Sequence, residues 1–397
     1  MPQTQRQSSS SPAPLRFAVI GCGALAQGTH IPNLARSDKA ELYACCDVSE
    51  EALAACRARY GVGRLTKDWR ELVGDPQVEA ICLATTERLR LPVIAAAAEA
   101  GKPVYVEKPL ARELDEVYRI RDVVHAAGIP FCVGHNRRSS PAMIEAHDIF
   151  RRHMTDPQPC GWRWNREGDR RPRLPEDGRP SMSVRINDDW YSWKGWVFDK
   201  EHSLHGPMVF EMTHFTDLCN WFLAAEPTEV IAVESGMLNH AVIIRYAGGE
   251  LATITMCANG TFGYPKELYE MMGNGGMVVV DHMVELRTAG VGGAPGVKPY
   301  PLGGRSGAEA GLHGWLAQRH EACEQAAAAG DPTLLLRSPG PDKGHAHQLD
   351  RFVDEIRGVG PTVCGIDDAV TATQVAFAAV RSAHEHRVVS LEETQCC

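Results

Sequence analysis

Residues 16–26 read Arg16-Phe17-Ala18-Val19-Ile20-Gly21-Cys22-Gly23-Ala24-Leu25-Ala26, a short apolar strand running into G-x-G-x-x-A and then into a helical pattern. This is a form of the dinucleotide fingerprint. Gly21 permits the tight turn, Gly23 lets the backbone approach a pyrophosphate, and the small Ala26 lets the helix pack closely on the strand. Alone, the motif is weak. A second strand, however, ends at Asp47, 21 residues beyond Ala26, where a carboxylate accepts hydrogen bonds from ribose hydroxyls. That carboxylate also repels the extra phosphate of NADP, and Val48, Ser49, Glu50 and Glu51 supply no arginine to receive it. NAD is the expected cofactor.

Working outward, apolar runs at 16–20, 41–47, 80–85, 103–107 and 130–134 alternate with helical patterns at 49–60, 91–100 and 114–127. That rhythm specifies a doubly wound parallel sheet, a Rossmann domain over 15–135. After Asn136 it gives way to longer alternating strands without intervening helices, at 229–235, 240–246, 250–256 and 277–281. A second, sheet-based domain over 136–391 follows. Residues 289–311, dense in Gly and Pro, read as a surface loop, and 344–357 and 366–386 as late helices. Residues 1–14, rich in Ser, Gln and Pro, read as a disordered tail without a secretory signal, and 392–397 as a second tail.

A chain of 397 residues suits two domains, each with a sizeable core. At 44% apolar and 23% charged it is an ordinary globular composition, and no apolar run reaches the ~18 residues of a membrane span. With 41 basic against 50 acidic residues, the net charge of -9 opposes broad attraction to nucleic acid or anionic lipid. Thirteen cysteines without framework spacing, several at core positions such as Cys22, Cys45 and Cys82, fit reduced thiols in a cytoplasm. The adjacent Cys396 and Cys397 read as a frayed end.

The fifth strand ends in Glu107-Lys108-Pro109, and here the sequence resembles the Gfo/Idh/MocA family of glucose-fructose and inositol-type oxidoreductases. The resemblance runs from Leu15 to about Leu391, through the fingerprint, this turn, the His214–Asp217 segment, Tyr264-Pro265-Lys266-Glu267 and the late helices. It is weakest between Asn136 and Gly206. It implies a C-terminal α+β domain with an open, mostly antiparallel sheet, helices on one face and an oligomer contact on the other, hence a homo-oligomer, dimer or tetramer. It also implies that Lys108 sits between nicotinamide and substrate. Chemistry agrees: a strand's C-terminal end faces the ligand crevice, and oxidising a secondary alcohol requires a group that takes the hydroxyl proton. The alternative is a surface lysine in a turn. Cofactor contacts are expected from Gly21, Gly23, Ala24, Leu25, Ala26, Asp47, Thr85, Glu107 and Lys108.

Glu211, His214 and Asp217 follow at i, i+3 and i+6 on an expected helix opening after Gly206-Pro207, so Glu211 and His214 are read on one face, toward the cleft, with Asp217 nearly in line. The family commonly has Asp four residues before this His, where Phe210 stands here; some members carry Glu three residues before it, as this chain does. His214 is expected as acid/base or substrate ligand and Glu211 as its orienting carboxylate or an added acid/base; a histidine satisfied in the core is the alternative. Thr85-Thr86-Glu87-Arg88-Leu89-Arg90 replaces the family's Thr-Pro-Asn-His run, so contacts near the nicotinamide ribose differ. Gly134-His135-Asn136-Arg137-Arg138 resembles the turn into the second domain. Asn136 and Arg138 are therefore expected at the substrate together with Asp217, with a solvated Arg137-Arg138 pair as the alternative.

Five of the eight tryptophans, Trp162, Trp164, Trp190, Trp193 and Trp196, fall in the least family-like segment. Aromatic faces stack on sugar C–H faces, so Trp190 and Trp193 are read as substrate contacts, an aromatic core cluster being equally consistent. Seven arginines between Arg163 and Arg185 read as a solvated charged loop rather than an anion site. His202 and His205 with His214 have no support as metal ligands, and no metal is expected. The pairs His345/His347 and His384/His386 are expected to face solvent. The expected activity is hydride transfer between a sugar, sugar-derivative or cyclitol hydroxyl and NAD. The alternative is a redox-neutral, NAD-retaining glycosidase or lyase that oxidises a sugar transiently and eliminates a substituent. An NAD-sensing regulator is disfavoured by the intact Glu107-Lys108-Pro109 turn.

Overall fold

The computed structural model describes residues 12–155, 179–189, 206–302, 310–331, 334–337 and 340–394. Strands β1 (Leu15–Ile20), β2 (Ala40–Cys46), β3 (Arg64–Thr66), β4 (Ala80–Leu83), β5 (Val104–Val106) and β6 (Phe131–Val133) form one sheet in the order β3-β2-β1-β4-β5-β6. Every pairing is parallel. The order reverses between β1 and β4, which opens a crevice at the strands' C-terminal ends. Five strands coincide with the expected segments. The short β3 carries too few residues to show a period.

β1 is buried on both faces, as a central parallel strand must be. Phe17 and Val19 pack on one side against Leu349, Phe352 and Val353, and Ala18 and Ile20 on the other against Ile81 and Val93. One cover is therefore supplied by the late helix His345–Ile356. Its Gln348 receives the Tyr105 hydroxyl at 2.8 Å and donates to the Val133 carbonyl at 2.9 Å. Helix Glu50–Tyr60 begins at Ser49, whose Oγ accepts from Ala52 N at 3.2 Å, and stops at Gly61 with φ +68°.

The second sheet has nine strands: β7 (Ser181–Asn187), β8 (Pro227–Ser235), β9 (Asn239–Tyr246), β10 (Leu251–Cys257), β11 (Glu267–Gly273), β12 (Gly276–Asp281), β13 (Glu285–Ala289), β14 (Val297–Pro299) and β15 (Val389–Ser390). Their order is β14-β13-β12-β11-β7-β10-β9-β8-β15. The β7–β10 pair is parallel and the other ladders are antiparallel. Alternate residues of β9 and β10 are buried, so one face meets a core and the other is open. Helices Pro141–His153, Met212–Leu223 and Ile366–Glu385 cover the buried face.

Helices thus do intervene after Asn136, against expectation. Pro141–His153 buries Ala142, Met143, Ala146, Ile149 and Phe150, a helical spacing set on a Pro start. The expected loop at 289–311 holds the edge strand β14, and a helix spans Gly311–Ala329. Helix Ile366–Glu385 joins the two cores: Ile366, Ala369 and Val370 pack with the Rossmann helices, and Val375, Ala378, Ala379 and Ala383 with the second sheet. Of the late histidines, His347, His384 and His386 are exposed and His345 is half-buried. No helix among the described residues is long and apolar enough to cross a membrane.

Candidate active site

The fingerprint turn has the shape its residues require. Gly21 takes φ +92°, and a Cβ there would lie 2.6 Å from the Ala84 carbonyl oxygen, so no larger residue fits between β1 and β4. At Gly23 a Cβ would meet nothing within 4 Å. That open side is where a pyrophosphate approaches, at the start of the helical turn carrying Ala24, the half-exposed Leu25 and the buried Ala26. Asp47 closes the turn from β2: its Oδ2 accepts from Cys22 N at 2.6 Å and its Oδ1 from Ser49 N at 2.8 Å. Each oxygen keeps lone-pair capacity for a ribose hydroxyl. These residues fit a bound dinucleotide.

β5 delivers Glu107-Lys108-Pro109 to the same crevice, with the Lys108–Pro109 peptide in cis. Glu107, expected at the cofactor, is 5% exposed and committed to the protein. Its Oε1 pairs with His30 Nε2 at 2.8 Å and its Oε2 accepts from Lys108 N at 3.2 Å. Burial opposes the Glu107 charge, but the His30 hydrogen bond and the positive charges of His30, Lys108 and His345 together outweigh it and lower the carboxyl to about 2. Glu107 thus fixes the turn that aims Lys108. Arg90, buried beside it, donates to the carbonyls of Thr85 at 3.0 Å and Lys108 at 3.5 Å, linking the ends of β4 and β5. Thr85 itself is partly exposed at the crevice.

The second domain meets Lys108 at a break in a helix. Glu211 stands between helices Gly206–Phe210 and Met212–Leu223 with φ -114° and ψ -34°, so it caps the second helix instead of sharing a face with His214. His214 N donates to the Glu211 carbonyl at 3.1 Å, not to the residue four back as α-helical geometry would have it. Lys108 Nζ donates to the Phe210 carbonyl at this break, at 2.8 Å. Lys108 Nζ also lies 3.1 Å from Glu211 Oε2. Where the family commonly has an aspartate side chain, this chain offers the backbone carbonyl of Phe210 and the carboxylate of Glu211.

Glu211 is shared. Lys266 Nζ reaches Glu211 Oε1 at 2.8 Å and Asp188 Oδ2 at 2.8 Å, and Arg137 reaches Glu211 Oε1 at 3.4 Å. Arg137 forks onto the fully buried Glu267 at 2.8 and 2.7 Å, Lys343 adds a contact at 2.8 Å, and the Tyr269 hydroxyl donates to the same carboxylate. Burial opposes the Glu211 charge, but Lys108 and Lys266 hold the carboxyl well below its usual range. Burial, Arg137 and Lys108 together push His214 well below 6.5, so its imidazole is neutral. His214 shows no side-chain hydrogen bond to Glu211; its nearest ring is His135, edge to face at 5.5 Å.

Asn136, Arg138 and Asp217, expected at the substrate, are turned inward. Arg138 grips Asp217 bidentately at 2.8 and 2.7 Å with both residues buried, His135 Nδ1 adds a contact at 3.2 Å, and Asn136 Nδ2 donates to the Lys343 carbonyl at 2.7 Å. Six residues along helix Met212–Leu223 bring Asp217 round past the crevice to the interior. Arg137 and Arg138 are likewise not a solvated pair. Trp190 and Trp193 lie outside the described residues, as do Trp162, Trp164, Trp196, His202 and His205. Sequence reading missed His30, Arg90, Arg137, Asp188, Lys266, Glu267 and Lys343 as a set. The one available signal was Lys266-Glu267 within a quoted family motif.

Comparison with known proteins agrees with this architecture. Residues 15–135 match the GFO_IDH_MocA model, described as an oxidoreductase family with an NAD-binding Rossmann fold. The chain is 27% identical over 290 residues to the myo-inositol 2-dehydrogenase of Thermotoga maritima, covering 68% of this chain and 76% of that protein. In fold it is similar to a probable dehydrogenase from Thermotoga maritima, with a TM-score of 0.69 at 20% identity over 96% of this chain and 100% of that one. It is also similar to a levoglucosan dehydrogenase in complex with NADH and L-sorbose, with a TM-score of 0.72 at 20% identity over 96% and 99% of the two chains. A Rossmann sheet in the order 3-2-1-4-5-6 with a Glu-Lys-Pro turn at its crevice agrees with that match, so residues 15–135 form a Rossmann domain of the GFO_IDH_MocA oxidoreductase family, and the open, mostly antiparallel sheet that follows shares the fold of these solved dehydrogenases.

Proposed function

We propose that the protein transfers a hydride between a secondary hydroxyl of a sugar, sugar derivative or cyclitol and the nicotinamide of NAD, with NAD preferred over NADP. The observation that carries the reading is Lys108 Nζ, held 2.8 Å from the Phe210 carbonyl and 3.1 Å from Glu211 beside a neutral His214. When bound, NAD supplies the hydride acceptor. Lys108 takes the hydroxyl proton, and His214 in its neutral form accepts from or donates to the same hydroxyl.

The substrate class follows the names of the relatives, a myo-inositol 2-dehydrogenase and a levoglucosan dehydrogenase. Glu211 argues against the redox-neutral alternative: Lys266 and Arg137 pair with its carboxylate whatever the charge on Lys108, so it has no proton to give a leaving group. The reading includes a cytoplasmic homo-oligomer, dimer or tetramer, joined through the open sheet face. Val233, Ile243 and Leu251 stand 62%, 40% and 43% exposed there. The test is a screen of sugars, cyclitols and glycosides that follows NADH absorbance and product formation in parallel. NADH formed in step with a keto product supports the proposal. Glycoside cleavage without net NADH overturns it.

A further inference from the structure

Three thiols converge beneath the glycine turn. Cys22 lies between Gly21 and Gly23, Cys45 is the last but one residue of β2, and Cys56 is on helix Glu50–Tyr60. Their Sγ atoms all lie within 4.8 Å of one another, and the residues are 0%, 0% and 1% exposed. All three are free thiols. A metal–thiolate bond of about 2.3 Å places the sulfurs of a planar three-coordinate complex ~4 Å apart, close to the spacing already present. Core packing alone does not require such convergence: Cys82, Cys132 and Cys219 are equally buried and form no such group among the described residues.

We propose that Cys22, Cys45 and Cys56 form a binding site for one soft, thiophilic d10 ion, and that occupying it weakens NAD binding. Three sulfurs with no oxygen donor select soft ions over magnesium or calcium. Binding forms three metal–sulfur bonds and releases three thiol protons to solvent, with no change of oxidation state. A divalent ion with three thiolates carries a net charge of -1. That charge lies directly under the turn whose open side faces the pyrophosphate, next to Asp47, which grips Cys22 N at 2.6 Å. Like charges on the two sides of one turn repel, and Cys22 belongs to both sites. Linkage makes the antagonism mutual.

The experiment titrates the reduced full-length chain with Cd²⁺, recording thiolate-to-metal charge-transfer absorbance, protons released into weak buffer, and NADH affinity. It is repeated in Cys22→Ser, Cys45→Ser and Cys56→Ala, and in a Cys396→Ser/Cys397→Ser control that removes the tail pair. The expected result is one ion and three protons per chain, absorbance retained in the tail control and lost in each triad variant, and NADH affinity lowered about 10-fold or more by saturating Cd²⁺. Circular dichroism and NADH binding without Cd²⁺ identify the folded variants. Should none fold, the proton count and the NADH antagonism of the unmodified chain decide. Absorbance that persists in a folded triad variant, fewer than three protons, or NADH affinity indifferent to Cd²⁺ overturns the proposal.

Discussion

Lys108 Nζ lies 3.1 Å from Glu211 Oε2, a contact that spans the two domains and depends on the helix break at Glu211. At the break the carboxylate meets Lys108, and the Phe210 carbonyl accepts from the same ammonium group. Glu211→Gln keeps the shape but removes the charge that Lys108, Lys266 and Arg137 share. Stability should fall by about 3–5 kcal/mol, the usual cost of breaking a buried ion pair, with turnover reduced and NADH affinity retained. Denaturant midpoints with steady-state kinetics check this; a variant as stable as the parent would show that the carboxylate is not holding these cations.

Cofactor preference rests on Asp47. Val48 beside it is 83% exposed, so an arginine placed there reaches solvent at the adenosine end of the crevice without repacking the core. Asp47→Ser with Val48→Arg is expected to narrow or reverse a preference for NAD over NADP. Equal affinity of the unmodified protein for the two cofactors, measured by fluorescence titration, would remove Asp47 from that role.

Arg138 and Asp217 separate a structural role from a substrate contact. Asp217→Ala leaves a buried guanidinium unpaired and is expected to cost about 3–5 kcal/mol of stability. A variant of unchanged midpoint and raised KM would return Asp217 to the substrate.

Acid should unfold this protein through its histidines. Burial holds His214 well below 6.5, and burial and Lys343 push His282 to about 3. The unfolded chain takes up these protons near pH 6.5 and the folded chain does not. Stability is therefore full above pH 6.5 and falls as pH drops toward the folded values, by up to about 1.4 kcal/mol per pH unit for each histidine. Denaturant midpoints between pH 7 and 4 read the slope. Replacing His282, which packs edge-on to Trp315 at 4.7 Å, with Phe should flatten it.

The Rossmann half was legible because its signals are local: a strand, two glycines and an acid at fixed spacing dictate β1, the turn and Asp47. The ion-pair chain was not. Lys108, Glu211 and Lys266 are brought together from β5, a helix break and the start of β11, and no periodicity reports a contact 103 residues apart. The break itself misled the reading of Glu211, since i, i+3 spacing places it beside His214 only if the helix is continuous through both. His345–Ile356 showed its helical period but not that it would cover the N-terminal sheet.

If Lys108 moves the hydroxyl proton during hydride transfer, Lys108→Ala removes that step and leaves the cofactor turn intact. With a substrate from the screen in hand, turnover and NADH affinity are measured on the same preparation. Turnover should fall at least ~10²-fold, the smaller end of what a positioned acid/base contributes, with NADH affinity little changed. Turnover that survives the substitution would contradict it.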